Sequence, residues 1–417
     1  METVDVLVAG AGLAGLHTAR LLARQGFDVL VVDRRRSLDT GIRTTGIFVR
    51  RTLDDFALPG RHLGPPIRRV VLHPPSGRRP VELLSARDEF RVADMAGVYA
   101  DARARAEQAG ARVRLGVPYP VADVTARFTI GADGARSTVA RRLGLDVNRH
   151  LIVGIEEVYP MAAGDGPPTF HCVIDPRLAP GYLGWVVDDG RHAHVGLAGR
   201  PDRLAAPLPQ LLHAFRDRFS TGPDGPDGGG SGRFGAGPDG GGSGRFGAGS
   251  DGRGAGWGGD ADGPGGGSGV LPVAEGPVRR RGGPIPVGGL LRRIACPDGL
   301  LVGDAAGAVS PLTAGGLDPC LRLSRLAAEV TGDYLRSGDA SVLRHYDGAG
   351  LRARFRGRLL MRRALSGLRS AAGAEAAFTL LHTAPGRAAA ARVLFGDGSF
   401  PDPPLRRSVP GAASTTP

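Results

Sequence analysis

The segment that most constrains this chain is its beginning, where an apolar run from Val4 to Ala9 passes into Gly10-Ala11-Gly12-Leu13-Ala14-Gly15 and then into a helix-like stretch. An unbroken apolar run of that length reads as a parallel strand buried on both faces. The glycines sit at the join. Gly10 permits a tight turn, Gly12 lets backbone approach a pyrophosphate, and Gly15 lets the helix pack on the strand, so that amide groups at the helix N-terminus face phosphate oxygens. A second apolar run, Val29 to Val32, ends in Asp33, 23 positions after Gly10. Its spacing is close to the roughly 20 residues at which an acid meets a ribose hydroxyl. A strand-to-helix turn without a ligand would account for the glycines but leave Asp33 unexplained. The segment is therefore predicted to be a dinucleotide-binding βαβ unit.

An acid at position 33 suits a free ribose, as in FAD or NAD, better than a 2′-phosphate, although Arg34, Arg35 and Arg36 follow it. Two more glycine-centred clusters come later: Ile130-Gly131-Ala132-Asp133-Gly134-Ala135-Arg136-Ser137 and Leu301-Val302-Gly303-Asp304-Ala305-Ala306-Gly307. Each is a place where backbone could approach a nucleotide.

In this order and spacing the three clusters resemble the FAD-dependent oxidoreductases that include class A flavin monooxygenases, flavin halogenases and geranylgeranyl reductases. The resemblance covers about residues 3 to 50, 90 to 200 and 284 to 335. It implies a Rossmann-like FAD-binding domain with a mixed β-sheet substrate domain and C-terminal helices, the α/β fold of the glutathione-reductase type. It further implies that Asp133 and Gly134 lie near the FAD pyrophosphate and contact a nicotinamide cofactor, that Gly303 and Asp304 meet the ribityl chain, and that Pro311, Gly315 and Gly316 lie beside the isoalloxazine. Arg34 and Arg43 are further candidates for cofactor contact. A helix opening at Gly315-Gly316 would aim its N-terminus at the ring edge that carries negative charge when the flavin is reduced.

Within that group, Gly303-Asp304-Ala305-Ala306-Gly307-Ala308-Val309-Ser310-Pro311-Leu312-Thr313-Ala314-Gly315-Gly316-Leu317 looks more like the geranylgeranyl reductase branch. So does Gly181-Tyr182-Leu183-Gly184-Trp185, similar to that branch's aromatic segment, which would place Tyr182 and Trp185 in the substrate cavity; the alternative is that both are core of an ordinary strand. Four positions depart from the pattern. Val187-Asp188 replaces an expected proline, Arg43-Thr44-Thr45-Gly46 stands where the branch carries a cysteine-glycine pair, and Asp94 stands where an arginine contacts FAD. Between Val113 and Ile130 there is hardly room for more than two short strands, where relatives fit a several-stranded meander.

Composition supplies one firm exclusion: all 53 basic residues are arginine. No mechanism needing a lysine amine is available, which removes Schiff-base chemistry, a P-loop lysine and the halogenase reaction. The formal net charge of +12 comes with no aromatic-basic interleaving on one segment, so nucleic acid is not expected as a partner. A basic face would instead suit an anionic membrane surface met peripherally. Cys172, Cys296 and Cys320 are widely spaced, indicating neither a disulfide framework nor a metal site, and suit a cytoplasmic location. No apolar stretch reaches the ~20 residues of a membrane span, and no basic-then-apolar leader precedes Val4.

The expected organisation is a discontinuous FAD domain of residues 1–66, 90–149 and 284–338, a substrate domain of 67–89 and 150–221, and a helical region from 339 to 417. The last would contain helices over Leu351–Leu368 and Ala374–Val393, capping the cavity or lying solvated. Residues 222–283 form a glycine-rich insert in which a 12-residue unit, Gly225 to Ala236, recurs unchanged at Gly237 to Ala248. Such a segment cannot offset its ordering entropy and is expected to be disordered.

These readings imply an FAD-dependent oxidoreductase that reduces carbon–carbon double bonds of an isoprenoid or similar hydrophobic substrate. A nicotinamide cofactor, NAD(P)H, or another donor would bind transiently. Tyr182 and His171 are candidate proton donors, with ordered water a third. The alternatives are a class A monooxygenase using NAD(P)H and oxygen, and a flavoprotein that has lost catalysis.

Overall fold

The computed structural model describes residues 1–160, 167–220 and 279–396; the repeat-bearing insert up to residue 278 and the tail beyond residue 396 lie outside the described residues. Glu2–Ala9 forms the middle of a six-stranded sheet in the order Ala295–Cys296, Gly299–Leu301, Val124–Gly131, Glu2–Ala9, Val29–Asp33, Arg112–Leu115. Every neighbouring pair runs parallel except the first. Val29–Asp33 is buried at all five positions, as a strand covered on both faces must be. Helix Leu13–Ala23 packs against helices Met95–Gln108 and Leu317–Ser337. Val124–Gly131 is one uninterrupted strand of this sheet, leaving no meander ahead of the second glycine cluster.

A second sheet has seven strands, in the order Arg279–Pro286, Leu151–Pro160, His192–Gly199, Gly184–Asp188, Thr169–Val173, Arg69–His73, Val81–Leu84. Its pairs are antiparallel except Thr169–Val173 with Arg69–His73. Helix Leu208–Ser220 covers one face, where Leu211, Leu212 and Phe215 pack on Ile155, Val173, Val186, Val195 and Leu197. The register turns Trp185, Glu156, His194 and Arg281 to the opposite face, where Glu156 accepts from Thr45 and Arg281 donates to Thr44 O. A three-stranded sheet, Ile47–Val49, Phe90–Ala93 and Leu63–Ile67, joins the two halves.

Two expectations need correction. Residues 279–283 belong to neither a disordered insert nor a linker, and the boundary at 284 falls inside a strand, because Arg279–Pro286 pairs along Leu151–Val158. Glycine there serves close packing: a Cβ on Gly282 would stand 2.4 Å from the Gly154 carbonyl oxygen. The helix expected over Ala374–Val393 is two, Ala371–Leu381 and Ala384–Phe395. Thr383 caps the second by accepting from Gly386 N, and Pro385 sits in its first turn, where its missing N–H costs nothing. Helix Ala349–Gly367 is not a solvated tail, since Leu351, Arg354, Phe355, Arg358 and Arg362 are buried along one stripe.

Candidate functional site

The three glycine clusters meet in space. A Cβ on Gly10 would lie 2.3 Å from the Ala132 carbonyl oxygen and one on Gly15 only 1.9 Å from that of Gly10, so the first turn, the helix and the second cluster are in backbone contact. Gly10 also has φ +111, a conformation open to glycine and costly for other residues. Val302 N donates to Gly131 O at 2.9 Å, which ties in the third cluster. Asn148, the sole asparagine of the chain, bridges the last two clusters, its Nδ2 donating to Ala135 O at 3.1 Å and to Asp304 O at 2.8 Å. Sequence reading missed Asn148. Its signal was faint, because a single amide in a loop carries no pattern.

Several features fit the backbone and hydroxyl groups of a dinucleotide. Nothing stands within 4 Å of a Cβ built on Gly12, so the protein's own packing does not demand glycine there. Helix Leu13–Ala23 begins at Gly12 and helix Leu317–Ser337 at Gly316, each without a side-chain cap, leaving first-turn N–H groups open to a ligand. Asp304 is half-buried, accepts no hydrogen bond through its carboxylate from the described residues, and is pushed up to about 6 by burial. Its Oδ1 lies 3.4 Å from where a Gly316 Cβ would stand, so the acid and the Gly315-Gly316 pair share one space. Gly315 is exposed and Pro311 is buried.

The first two acids are more occupied than their sequence context implied. Asp33 ends its strand as expected, but Ala11 N (2.8 Å), Arg35 N (2.8 Å), Arg35 Nε (3.0 Å) and Arg35 Nη2 (2.9 Å) already fill its acceptor positions. Burial alone would raise its pKa; the fork of Arg35 and the two backbone donors outweigh that and lower it. A ribose would therefore exchange with Arg35. Arg34, the expected contact, is exposed, because it follows Asp33 on the outward side while Arg35 folds back onto the acid. Asp133 turns its Oδ2 to Thr138 N (2.6 Å) and Val139 N (3.2 Å), capping the short helix Thr138–Arg142, while its buried Oδ1 has no hydrogen-bond partner among the described residues. Gly134 has φ +86 with open space beside it. Arg43 is exposed and lies along the edge strand, its Cδ 3.4 Å from a Gly283 Cβ position. Asp94, in place of an arginine, caps helix Met95–Gln108 through Ala96 N.

On the facing sheet, Tyr182 is brought to the third cluster: its hydroxyl donates to Thr313 O at 2.6 Å. It shares an apolar cluster with Ile152, Ala198 and Val287, against which Leu183, Trp185, Ile285 and Ala314 pack. Tyr182 is therefore part of the core and is also tied to the loop after the third glycine cluster. Burial raises its pKa, so the phenol keeps its proton at neutral pH. His171 lies elsewhere. Its register partner Val186 is on the Leu208–Ser220 face, its Nδ1 is 2.9 Å from His73 Nε2, and burial followed by His73 depresses its pKa to about 3. A neutral imidazole on the far face cannot deliver a proton to this cavity.

Around Trp185 the structure assembles a charged group that the sequence did not disclose. Trp185 lies over Gly196, where a Cβ would stand 2.4 Å from the indole, and its Nε1 donates to Glu156 Oε2 at 2.9 Å. Glu156 also pairs with Arg281 Nε at 2.7 Å and accepts from the Thr45 hydroxyl. His194 stands between Glu156 and Asp189, its Nε2 3.0 Å from Asp189 Oδ2, and Arg281 donates to Thr44 O at 2.8 Å. Burial would raise the Glu156 pKa, yet His194, Arg281 and Thr45 together hold it well below the ordinary carboxylate range. Burial likewise opposes a charged His194, and its two flanking carboxylates overcome this and raise its pKa. This group fixes Thr44-Thr45, next to Arg43, against the sheet. Among the described residues no three His, Cys, Asp or Glu side chains gather as a metal site.

Comparison with known proteins agrees with this arrangement. Residues 3–57 match a family model described as an FAD binding domain. The chain is 28% identical over 369 residues to a digeranylgeranylglycerophospholipid reductase of Methanopyrus kandleri, covering 82% of this chain and 84% of that one, and 27% identical over 386 residues to a protein of the same name in Methanoculleus marisnigri, covering 82% and 80%. Among solved structures, a geranylgeranyl bacteriochlorophyll reductase-like protein of Thermoplasma acidophilum superposes with a TM-score of 0.71 at 18% identity over 96% of this chain and 98% of that one. The p-nitrophenol 4-monooxygenase of Pseudomonas putida shares the fold less closely, with a TM-score of 0.57 at 17% identity over 96% and 95%. With its three glycine clusters converging as they do, the chain has the features of an FAD-dependent oxidoreductase and is similar to the geranylgeranyl reductases over four fifths of its length.

Proposed function

We propose that this oxidoreductase saturates carbon–carbon double bonds of an isoprenoid or similar hydrophobic substrate. The observation that carries the proposal is the apolar cluster of Ile152, Tyr182, Ala198 and Val287, with Trp185, Ile285 and Ala314 packed against it, which ties the second sheet to the loop that follows Asp304. Apolar surroundings of this kind beside that loop suit a hydrocarbon substrate better than a polar one. The reductase names of the relatives support the same reading.

Bound FAD would supply a hydride to one alkene carbon while a proton reaches the other. The chain's part is to hold and orient. Gly10, Gly12 and Gly15 with the first helix N-terminus receive the pyrophosphate, Asp304 accepts from ribityl hydroxyls, and Asp33 accepts from the adenosine ribose once Arg35 yields. Asp133 and Gly134 border the pyrophosphate, while Pro311, Gly315 and Gly316 border the ring. Tyr182 and Trp185 align the alkene, a positioning role whose benefit is proximity. NAD(P)H binding transiently is the proposed electron donor. Since no helix among the described residues is long and apolar enough to cross a membrane, a lipid substrate would be met peripherally, with arginine facing anionic headgroups.

The buried Glu156, His194 and Arg281 group favours one rival, a monooxygenase acting on a polar aromatic substrate, since it brings hydrogen-bonding capacity to the same cluster. One experiment separates them. Dithionite-reduced protein incubated anaerobically with prenyl lipids is expected to yield products heavier by one H2 per double bond in mass spectrometry. No saturation without oxygen, together with a hydroxylated product when oxygen is admitted, overturns the reductase reading.

A further inference from the structure

Helix Ala349–Gly367 carries Arg354, Arg358 and Arg362 four residues apart, which places them on one stripe, and all three are buried at 6–7% exposure. Arg354 pairs with Asp318 at 3.4 Å. The other two turn toward the loop after the third glycine cluster. Arg358 Nη1 donates to Ser310 Oγ at 2.8 Å and Thr313 Oγ1 at 3.3 Å, gripping the turn that contains Pro311. Arg362 lies over the Tyr182 ring, 5.5 Å from its centroid, and Tyr182 in turn donates to Thr313 O. Among the described residues no carboxylate pairs with Arg362, and its buried Nη1 has no hydrogen-bond partner.

Arg362, taken out of water with no carboxylate among the described residues beside it, is costly to keep charged. Burial, partly offset by Asp318, lowers Arg358 to about 10, and burial also lowers Arg362, with Arg200 repelling it. Arg358 therefore remains protonated at neutral pH, and guanidinium chemistry keeps Arg362 so too. For Arg362 such burial is tolerable where negative charge arrives with a ligand. Two electrons and one proton convert neutral oxidised flavin into a reduced ring bearing one negative charge, so a nearby fixed cation stabilises the product of reduction more than its reactant.

We propose that Arg358 and Arg362 form a cationic wall behind the Ser310–Thr313 turn that raises the reduction potential of the bound FAD. The wall acts on the ring through the turn and through Tyr182, as an electrostatic rather than a catalytic element. The inference rests on the proposed position of the isoalloxazine beside Pro311, Gly315 and Gly316. It adds a side-chain source of positive charge to the dipole of the helix that begins at Leu317.

The test uses full-length FAD-loaded protein, with FAD affinity measured by fluorescence titration before any other readout. Sulfite is the probe, because it adds to oxidised flavin and leaves negative charge on the same ring system. Arg362→Met and Arg358→Met are each expected to weaken sulfite binding about tenfold, equivalent to a fall of about 30 mV in the two-electron potential. Arg362→Lys, which keeps the charge, is expected to remain within about twofold of the parent. Methionine variants that bind FAD yet keep the parental sulfite affinity and potential overturn this proposal alone, as does a lysine variant that falls as far as methionine. A shift in substrate KM with the potential unmoved also overturns it, assigning the arginines to an anionic substrate instead. Parent protein that takes up no FAD overturns the cofactor placement and the wall together.

Discussion

The six-stranded and seven-stranded sides of the molecule are built by opposite means. The six-stranded side is made by backbone in close approach: Gly10 against Ala132, Gly15 against Gly10, and Gly303 with a Cβ position 2.9 Å from Ala14 Cβ. Side chains at those contacts are few, and backbone dipoles predominate. The seven-stranded side is made by side chains, with Glu156, His194, Asp189 and Arg281 sealed among apolar neighbours and stitched to Trp185 and Thr45. Close backbone approach tolerates no added atom. A buried charge group tolerates volume but not the loss of one member.

That contrast can be broken by experiment, beginning with the largest effect. Glu156→Leu leaves Arg281 buried without its carboxylate and is expected to cost about 3–5 kcal/mol in urea unfolding; a variant as stable as the parent would show that the charges do not hold the substrate side together. Gly15→Ala forces a methyl group onto a backbone oxygen and is expected to cost about 2–3 kcal/mol and to abolish FAD uptake, whereas the same change at Gly12, which faces open space, should leave stability within about 0.5 kcal/mol and weaken FAD binding only. Equal stability losses at the two positions would end the distinction between packing glycines and ligand-facing ones.

Asp304 supplies a pH-dependent arm. Its folded pKa of about 6 stands above the unfolded value of 3.8, so the folded state binds the extra proton, and Asp304's contribution to stability is lost as pH rises from about 4 to about 6. Asp304→Asn is expected to remove that slope and to stabilise the FAD-free protein by about 1 kcal/mol at pH 7, allowing for its partial exposure, while weakening FAD affinity. A slope that persists in the variant assigns it to another group. The smallest effect is expected at Ala314, a non-glycine residue at φ +50 in the turn between Ser310 and Gly315. Ala314→Gly should relieve strain and stabilise by about 0.5–1 kcal/mol, read as a small rise in thermal midpoint; a fall would mean that the Ala314 methyl group contributes more through the apolar cluster than its backbone strain costs.

The site was legible in proportion to how local its causes are. Gly10, Gly12, Gly15 and Asp33 were readable because strand, turn, helix and terminal acid follow one another within a few dozen residues. Arg35 was passed over for Arg34 because the choice between adjacent arginines depends on which one folds back onto Asp33. His171 was an attractive proton donor by residue type alone; the pleat put it on the wrong face.

Sequence by itself determined that this chain would bind a dinucleotide and in what order its cofactor segments come, because glycine at a fixed offset from a buried strand answers to backbone geometry, which is local. Only the tertiary structure decided that Arg279–Pro286 joins the substrate sheet, that Glu156 meets Arg281 and Trp185, and that Arg358 and Arg362 stand behind Pro311. Those contacts join residues far apart in the chain. Their partners are chosen by burial and charge compensation once the sheets have closed, and no spacing along the sequence records that choice.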